Sequence, residues 1–176
     1  MASDSEPSKW LVEPLSKNHD RKAFSCGNES LDRYLKEIAS QDARRKVAAP
    51  FVLVAESDPK TVVGYYTLSA LGVDRSDFSP EVIKELDLPR YQDIPVTLLG
   101  RLAIDTTRKG QGLGEFLLLD ALNRTLAQSS QIAAVAVVVD AIDEAAIRFY
   151  EHFEFLRFPE IPERLFLPMK TIAQLF

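Results

Sequence analysis

The stretch RKGQGLGEFLLLDAL, residues Arg108–Leu122, decides the fold of this chain. Glycine occupies alternate positions from Gly110 to Gly114, and a leucine-rich run without glycine or proline follows. The pattern predicts a loop and then a helix from about Leu113 to Ala127. The first N–H groups of a helix lack intrahelical partners and attract anions, and glycine lets a phosphate approach the backbone. The strand VTLLGRLAI, the glycine loop and the helix together predict a diphosphate site.

Two common phosphate motifs do not fit this loop. The Walker loop places Lys-Ser/Thr after its last glycine, whereas Glu115 follows Gly114 here. The dinucleotide fingerprint is G-x-G-x-x-G, whereas this loop reads G-x-G-x-G. A glycine-rich turn before a packed helix, with no ligand, remains the structural alternative.

Length and composition indicate one soluble globular domain. The chain has 176 residues, of which 46% are hydrophobic and 27% are charged. No apolar run approaches the ~20 residues of a membrane span, and residues 1–9 read as a polar, flexible lead-in rather than a signal peptide. A single cysteine, Cys26, fits a cytoplasmic protein. The net charge of −5 argues against broad nucleic-acid binding but leaves room for a local basic patch.

Periodicity predicts the elements before the loop. NESLDRYLKEIASQDARRK is typical of an amphipathic helix capped by Asn28, with an apolar face made by Leu31, Tyr34, Leu35 and Ile38. PFVLVAE and TVVGYYTLSAL, separated by a turn, predict a covered hairpin. SPEVIKEL predicts a short helix capped by Ser79, and LPRYQDIP predicts a loop.

Three further elements follow the glycine loop and complete a mixed α+β order. IAAVAVVVDA predicts a buried strand and DEAAIRFYEHF an amphipathic helix. RLFLPMK predicts a last strand, part of which Pro168 places at an edge or a bulge. Gly100, inside VTLLGRLAI, suggests a bulge in that strand.

The loop and its surroundings resemble the GNAT superfamily of N-acetyltransferases. The superfamily's phosphate motif, Gln/Arg-x-x-Gly-x-Gly/Ala, falls on Lys109, Gly112 and Gly114, with lysine as a departure. Its C-terminal motif, Asn-x-x-Ala-x-x-x-Tyr-x-x-x-Gly-Phe, falls on DEAAIRFYEHFEF. There Asp143 replaces the asparagine and Glu154 replaces the glycine.

The resemblance implies a three-layer α/β fold: a mixed, mostly antiparallel sheet with a central splayed strand, and helices on both faces. It implies acetyl-CoA as co-substrate. The implied cofactor-binding residues are Leu102, Ala103, Ile104, Lys109, Gly110, Gln111, Gly112, Leu113, Gly114, Glu115 and Asp143. The backbone of Leu102, Ala103 and Ile104 would pair with the pantetheine arm, and the Leu102 N–H would stabilise the oxyanion.

Tyr150 occupies the position of the general acid in this resemblance. An unperturbed tyrosine, with a pKa of about 10, stays protonated at neutral pH and can protonate the leaving thiolate. The alternative is an aromatic side chain that packs with Phe149 and Phe153. Asp105 and Glu115 are interpreted as caps or solvated charges rather than bases, and Cys26 as a buried hydrophobe. His19 and His152 match no metal-ligand spacing, so no metal is predicted.

The order of four blocks, FSCGNESLDRYLKEIASQDARR, LPRYQDIPVTLLGRLAID, the glycine loop and LFLPMKTI, resembles the acetyltransferase toxins of bacterial toxin–antitoxin modules. This implies acetylation of aminoacyl-tRNA, a ribbon-helix-helix antitoxin and a homodimer. Arg44, Arg45 and Lys46 would contact the RNA backbone, or would only complement the helix dipole. Two other functions stay open: a GNAT enzyme acting on a small amine or protein N-terminus, and an idle acyl-CoA-binding module.

Overall fold

The computed structural model describes residues 9–176, so the predicted lead-in over residues 1–9 lies, apart from Lys9, outside the described residues. The described strands are β1 (Trp10–Pro14), β2 (Ala49–Ala55), β3 (Gly64–Asp74), β4 (Asp93–Ile104), β5 (Ala136–Asp140), β6 (Leu156–Arg157) and β7 (Arg164–Pro168). The helices are α1 (Glu29–Arg33), α2 (Ala39–Arg45), α3 (Pro80–Glu85), α4 (Leu113–Gln128), α5 (Glu144–His152) and α6 (Met169–Ile172). A π-helical turn, Tyr34–Ile38, joins α1 to α2.

The seven described strands form one mixed sheet in the order β1-β2-β3-β4-β5-β7-β6. Strands β1 and β2, β5 and β7, and β6 and β7 pair antiparallel. Strands β4 and β5 pair parallel over Thr97–Leu99 and Val137–Val139, and α4 makes the crossover between them. This ladder ends at Leu99, five residues before β4 ends at Ile104, as expected of a splayed strand. The predicted α+β class is confirmed.

The chain forms two compact units. The first comprises the described residues up to Thr67 together with Arg101–Asp120, and the second comprises Leu68–Gly100 and Ala121–Phe176. The prediction of one domain stays a prediction. No helix among the described residues is long and apolar enough to cross a membrane.

In the first unit, neighbouring residues of β3 contact helical elements on opposite faces of the sheet. Tyr65 is fully buried and stacks on Tyr34 of the π-turn, with ring centroids 6.2 Å apart. The next residue, Tyr66, points the other way and donates from its hydroxyl to Asp120 of α4 at 2.6 Å. This alternation follows from the two-residue period of a strand. It places helices on both faces of the sheet, as predicted.

Gly64 allows the close approach of β3 to its neighbours. A Cβ at this position would lie 2.8 Å from Cδ1 of Ile104 and 3.1 Å from Cδ1 of Leu117. It would also lie 3.1 Å from the Ala103 carbonyl oxygen, so a larger residue would require these neighbours to shift. The glycine therefore fixes the packing of the strand that leads into the glycine loop.

The first helical segment begins where predicted but contains an unpredicted π-turn. The Asn28 side chain accepts from the Leu31 N–H at 3.1 Å, which confirms the N-cap. The Ala39 N–H bonds to the Tyr34 carbonyl, five residues back, so one residue is inserted into the helical ladder. The insertion shifts the buried face by one residue: Ala39 is fully buried, whereas Ile38 is 39% exposed. The prediction that Ile38 lies on the apolar face was wrong for this reason.

The second unit has its own aromatic core. The rings of Phe78, Phe158 and Phe166 lie with centroids 4.9–5.2 Å apart. The short helix α3 begins as predicted, since the Ser79 side chain accepts from the Val82 N–H at 3.2 Å and Pro80 is its first residue. The serine cap and the proline at the first helical position are the local sequence features that predicted this helix start.

Several boundaries differ from the sequence prediction. Strands β1 (Trp10–Pro14) and β6 (Leu156–Arg157) were not predicted; the second has only two residues, too few to show a period. Strand β4 begins at Asp93, inside the segment predicted as a loop, and includes Pro95, whose carbonyl accepts from Val135. Strand β6 pairs only with residues 165 and 166 of β7, so Pro168 lies at the partly unpaired end of that strand, as predicted.

Glu154, which replaces the motif glycine, adopts a left-handed conformation with φ of +69°. It ends α5 in a Schellman motif, in which the Phe155 N–H bonds to the Tyr150 carbonyl at 3.1 Å. This position favours glycine, and a non-glycine residue there costs roughly 1–2 kcal/mol. The departure from the motif thus keeps the turn and adds local strain.

Candidate functional site

The glycine loop is open toward solvent and ends in a free helix N-terminus. Gly110 and Gly112 have φ of +79° and +73°, and a Cβ at either would meet no atom within 4 Å. The Phe116 N–H bonds to the Gly112 carbonyl at 3.1 Å, which begins the ladder of α4. The N–H groups of Leu113, Gly114 and Glu115 precede that bond, so helix geometry leaves them without intrahelical acceptors. The arrangement can bind an anion such as a pyrophosphate.

Asp105 anchors the start of this loop. The residue is 8% exposed, and its carboxylate accepts from the Ser25 N–H at 3.0 Å and from both the N–H and hydroxyl of Thr107 at 2.9 and 2.7 Å. Burial acts to raise the pKa of this carboxyl, but the hydrogen bonds from Ser25 and Thr107 outweigh it and lower the pKa. The geometry confirms the interpretation of Asp105 as a cap, since its oxygens are already engaged.

Replacing Asp105 by Asn should destabilise the protein in a pH-dependent way. Loss of the charged acceptor at this buried site should lower the free energy of unfolding by roughly 1–3 kcal/mol near pH 7. The folded-state pKa is depressed, so the contribution is present above the unfolded value of about 3.9 and is lost as pH falls through the folded pKa. Urea unfolding at pH 7 and near pH 3.5 measures this. A difference between the two proteins that did not shrink on acidification would contradict the charged-cap role.

The Lys109 side chain contacts the segment that precedes α1. Its ammonium donates to the Cys26 carbonyl at 3.0 Å and lies near Gly27. The neighbouring Cys26 thiol is buried, and burial followed by a hydrogen bond with Asp32 raises its pKa to about 11. Cys26 is therefore a protonated, packed side chain, and Lys109 ties the loop to the segment that precedes α1.

The strand that enters the loop presents backbone rather than polar side chains. Ala103 is 6% exposed and packs in the first unit's core, while Leu102 and Ile104 are half-buried. The Asp105 N–H bonds to the Val63 carbonyl at 2.9 Å, which ties this end of β4 to the segment entering β3. The expected pairing of residues 102–104 with a pantetheine arm remains a proposal.

Tyr150 and Asp143 lie on α5, in the second unit. Tyr150 is 7% exposed, and its ring contacts Phe149 and Phe155 with centroids 5.2 and 5.3 Å away. Burial raises the pKa of its phenol above the usual value, so the hydroxyl is protonated at neutral pH. The ring packs against Phe149 as the packing alternative expects, but its second aromatic neighbour is Phe155 rather than Phe153. The general-acid role of Tyr150 stays a prediction. Asp143 caps its own helix through the Ala146 N–H at 2.8 Å.

A model of the acetyltransferase (GNAT) family matches residues 13–155 of the chain. The chain belongs to this family. It is 35% identical over 161 residues to the tRNA-acetylating toxin of Mycobacterium tuberculosis, and the match covers 92% of this chain and 93% of the toxin. The predicted enzyme class, an acetyltransferase, is confirmed.

Solved structures of GNAT toxins share the fold. The structure of the toxin AtaT complexed with acetyl-methionyl-tRNAfMet has a TM-score of 0.87 and 32% identity, covering 96% of this chain and 99% of the other. A tyrosine-to-phenylalanine mutant of AtaT, bound to the C-terminus of the antitoxin AtaR and to acetyl-CoA, has a TM-score of 0.81 and 29% identity, covering 96% and 98%. The predicted GNAT fold is confirmed.

Two cationic surfaces of this GNAT chain lie in the first unit. The cluster that the sequence indicates lies exposed at the end of α2 and consists of Arg44, Arg45 and Lys46. Lys46 has φ of +60° and ends the helix. The second surface is an open groove that sequence reasoning missed, because its side chains come from separate segments. Its cationic lining residues are Lys17, Arg21, Lys22 and Lys36.

Residues 9–176 contain no cluster of three or more His, Cys, Asp and Glu side chains that could hold a metal ion. His19 is buried, accepts from the Ser16 N–H at 2.9 Å and bonds to Glu13 at 2.7 Å. His152 is exposed and contacts the Phe153 ring. The two histidines therefore contact different residues.

Proposed function

We propose that this chain transfers the acetyl group of acetyl-CoA to the α-amine of the amino acid on aminoacyl-tRNA, and so acts as a toxin that blocks translation. The open glycine loop at the start of α4 supports acetyl-CoA as the acetyl donor. The similarity to a tRNA-acetylating toxin over 92% of this chain supports aminoacyl-tRNA as the acetyl acceptor. Acetylation of a small amine or a protein N-terminus is the alternative.

In the proposed reaction, the N–H groups of residues 113–115 bind the pyrophosphate and the backbone of residues 102–104 pairs with the pantetheine. The neutral amine attacks the thioester carbonyl, and the Leu102 N–H stabilises the oxyanion. The C–S bond then breaks, and the thiolate takes the proton of the Tyr150 hydroxyl. The products are an amide and free CoA, and the amine proton restores Tyr150 through solvent.

Labelled acetyl-CoA incubated with a pool of aminoacyl-tRNA tests this function directly. We expect label on the tRNA, with a rate that falls steeply as salt rises, because phosphate contacts release counterions. Activity on a small amine should lack that salt dependence. Absence of label on the tRNA, together with harmless overexpression in a bacterium, would favour the alternative enzyme.

Removing the charges of Arg44, Arg45 and Lys46 should weaken tRNA acetylation and flatten its salt dependence. Glutamine suits the two arginine positions, whereas asparagine suits Lys46 because it tolerates positive φ. Each lost phosphate contact should reduce the salt slope by about 0.9. The matched control removes three exposed cations of the second unit, Arg90, Lys84 and Lys170. An equal effect of both triple variants would assign the loss to net charge rather than to a binding surface.

The partners and location complete the proposal. We propose a homodimer that a ribbon-helix-helix antitoxin binds and silences, in the cytoplasm where aminoacyl-tRNA is used. An AtaT structure with the C-terminus of AtaR supports an antitoxin partner. Light scattering of the purified chain should give the mass of a dimer, and a clean monomer at micromolar concentration would contradict that part.

A further inference from the structure

The Arg101 guanidinium is held over an aromatic ring with its hydrogen-bonding edge free. Its Cζ lies 3.5 Å from the centroid of the Tyr34 ring. The side chain is half-buried, and it makes no hydrogen bond or ion pair with another residue in the described part of the chain. A stacked guanidinium keeps five N–H donors in a planar fork that matches a phosphate or carboxylate.

The ring beneath Arg101 is rigidly supported. The Tyr34 hydroxyl donates to Asp42 at 2.9 Å, and its ring stacks on Tyr65 at an interplanar angle of 15°. Tyr65 in turn donates to the Leu31 carbonyl at 2.7 Å. Burial, and then the Asp42 bond, raises the pKa of Tyr34 to about 12, so no phenolate neutralises the cation. The orientation of Arg101 is therefore fixed before any ligand arrives.

Arg101 lies at the opposite end of the strand segment from the glycine loop. It immediately precedes Leu102 and lies four positions before Asp105, where β4 gives way to the loop. At about 3.3 Å per residue, the backbone of Arg101 lies roughly 13 Å from that point. The first unit thus offers two separate anion-binding features, one at each end of the segment proposed to pair with pantetheine.

We propose that Arg101 binds a phosphate of the acceptor, the phosphodiester that precedes the terminal nucleotide of aminoacyl-tRNA. This proposal rests on the proposed function. The acceptor must approach the thioester end of the donor, and Arg101 adjoins the residue assigned to that end. The pyrophosphate of acetyl-CoA, the other available source of phosphate, has the α4 N-terminus at the far end of the segment. The two-donor fork explains why arginine rather than lysine suits this position.

Two stable acceptor analogues, one with and one without a phosphate, measure the phosphate contact separately from acetyl transfer. One is an aminoacyl-adenosine with an amide link and no phosphate, and the other is the same compound extended by a cytidine 3′-phosphodiester. The native chain should prefer the extended compound in kcat/KM by about 10–100-fold, as expected for a charged hydrogen-bonded contact. Arg101→Met should lose this preference while keeping its activity on the nucleoside, and Arg101→Lys should retain only part of it.

Acetyl-CoA titration calorimetry on the same variants identifies the source of the phosphate. Unchanged donor affinity in both variants is the expected result, whereas weaker donor binding would overturn the acceptor assignment. A preference that survives in Arg101→Met would also overturn it. If Arg101→Met fails to fold, Arg101→Lys, which keeps the charge and an aliphatic chain, is tested instead. A full preference for the extended compound or a weaker acetyl-CoA affinity in Arg101→Lys would then overturn the assignment. A native chain that binds acetyl-CoA but acetylates neither analogue nor tRNA would overturn the proposed function as well.

Discussion

Replacing Gly112 by Asp should abolish acetyl-CoA binding. The residue precedes α4 and has φ of +73°, with no atom within 4 Å of the position a Cβ would take. A carboxylate fits there without a clash, and aspartate is one of the few residues that enter the left-handed region at small cost, so the chain should fold. It would then lie against the N–H groups proposed to bind the pyrophosphate, where it competes for the donors and repels the ligand. Calorimetry should show acetyl-CoA affinity reduced by at least about 100-fold.

Gly112→Asn is the matched control for that experiment. Asparagine has the shape of aspartate and tolerates positive φ, but it carries no charge. We expect the Asn variant to keep most of the affinity. Equal, unchanged binding in both variants would contradict the pyrophosphate site, whereas equal loss in both would show that the backbone rather than charge controls the loop.

Replacing Tyr150 by Phe should reduce turnover by about 10²–10⁴-fold, the range expected when a proton donor is lost. The ring contacts with Phe149 and Phe155 remain, so folding and acetyl-CoA affinity should be unchanged. The buried phenol keeps its proton because burial raises its pKa, which makes it available to the thiolate. Steady-state kinetics with separate titration of acetyl-CoA measures both quantities.

Tyr91→Phe provides the control, because Tyr91 is 69% exposed and its hydroxyl should have no role. A Tyr150→Phe protein with full activity would exclude proton donation. One that unfolds would assign Tyr150 to packing alone.

The helix starts and the strand–loop–helix order were predictable from local signals. Asn28 and Ser79 cap the helices that the sequence assigns to them, and Asp143 caps α5. The helix predicted over Leu113–Ala127 is α4, which ends at Gln128. These features depend on residues within one turn of each other, so neighbouring sequence carries the information.

The glycine loop was the strongest functional signal for the same reason. Glycine at positions 110 and 112 supplies positive φ, and the helix that follows supplies the N–H groups. Both requirements are local and leave a pattern that can be read without a structure. The candidate site was therefore predictable in outline, although Lys109 donates to Cys26, which is 83 residues away in sequence.

Only the tertiary structure decided the features that depend on distant segments. The Asp105 bond to Ser25, the Gly64 contact with Leu117 and the stacking of Arg101 on Tyr34 join residues far apart in the chain. The π-turn inserts a residue that the local sequence pattern does not predict. Strands β1 and β6 are identified as strands only by their pairing with β2 and β7. The sequence by itself determined the helix caps, the hairpin and the glycine loop before α4, because short-range hydrogen bonds and backbone preferences encode them. The support of Arg101 by the Tyr34 ring and the register of the sheet arise from packing between segments that are far apart in the chain. A local sequence pattern does not show which distant segments will pack together.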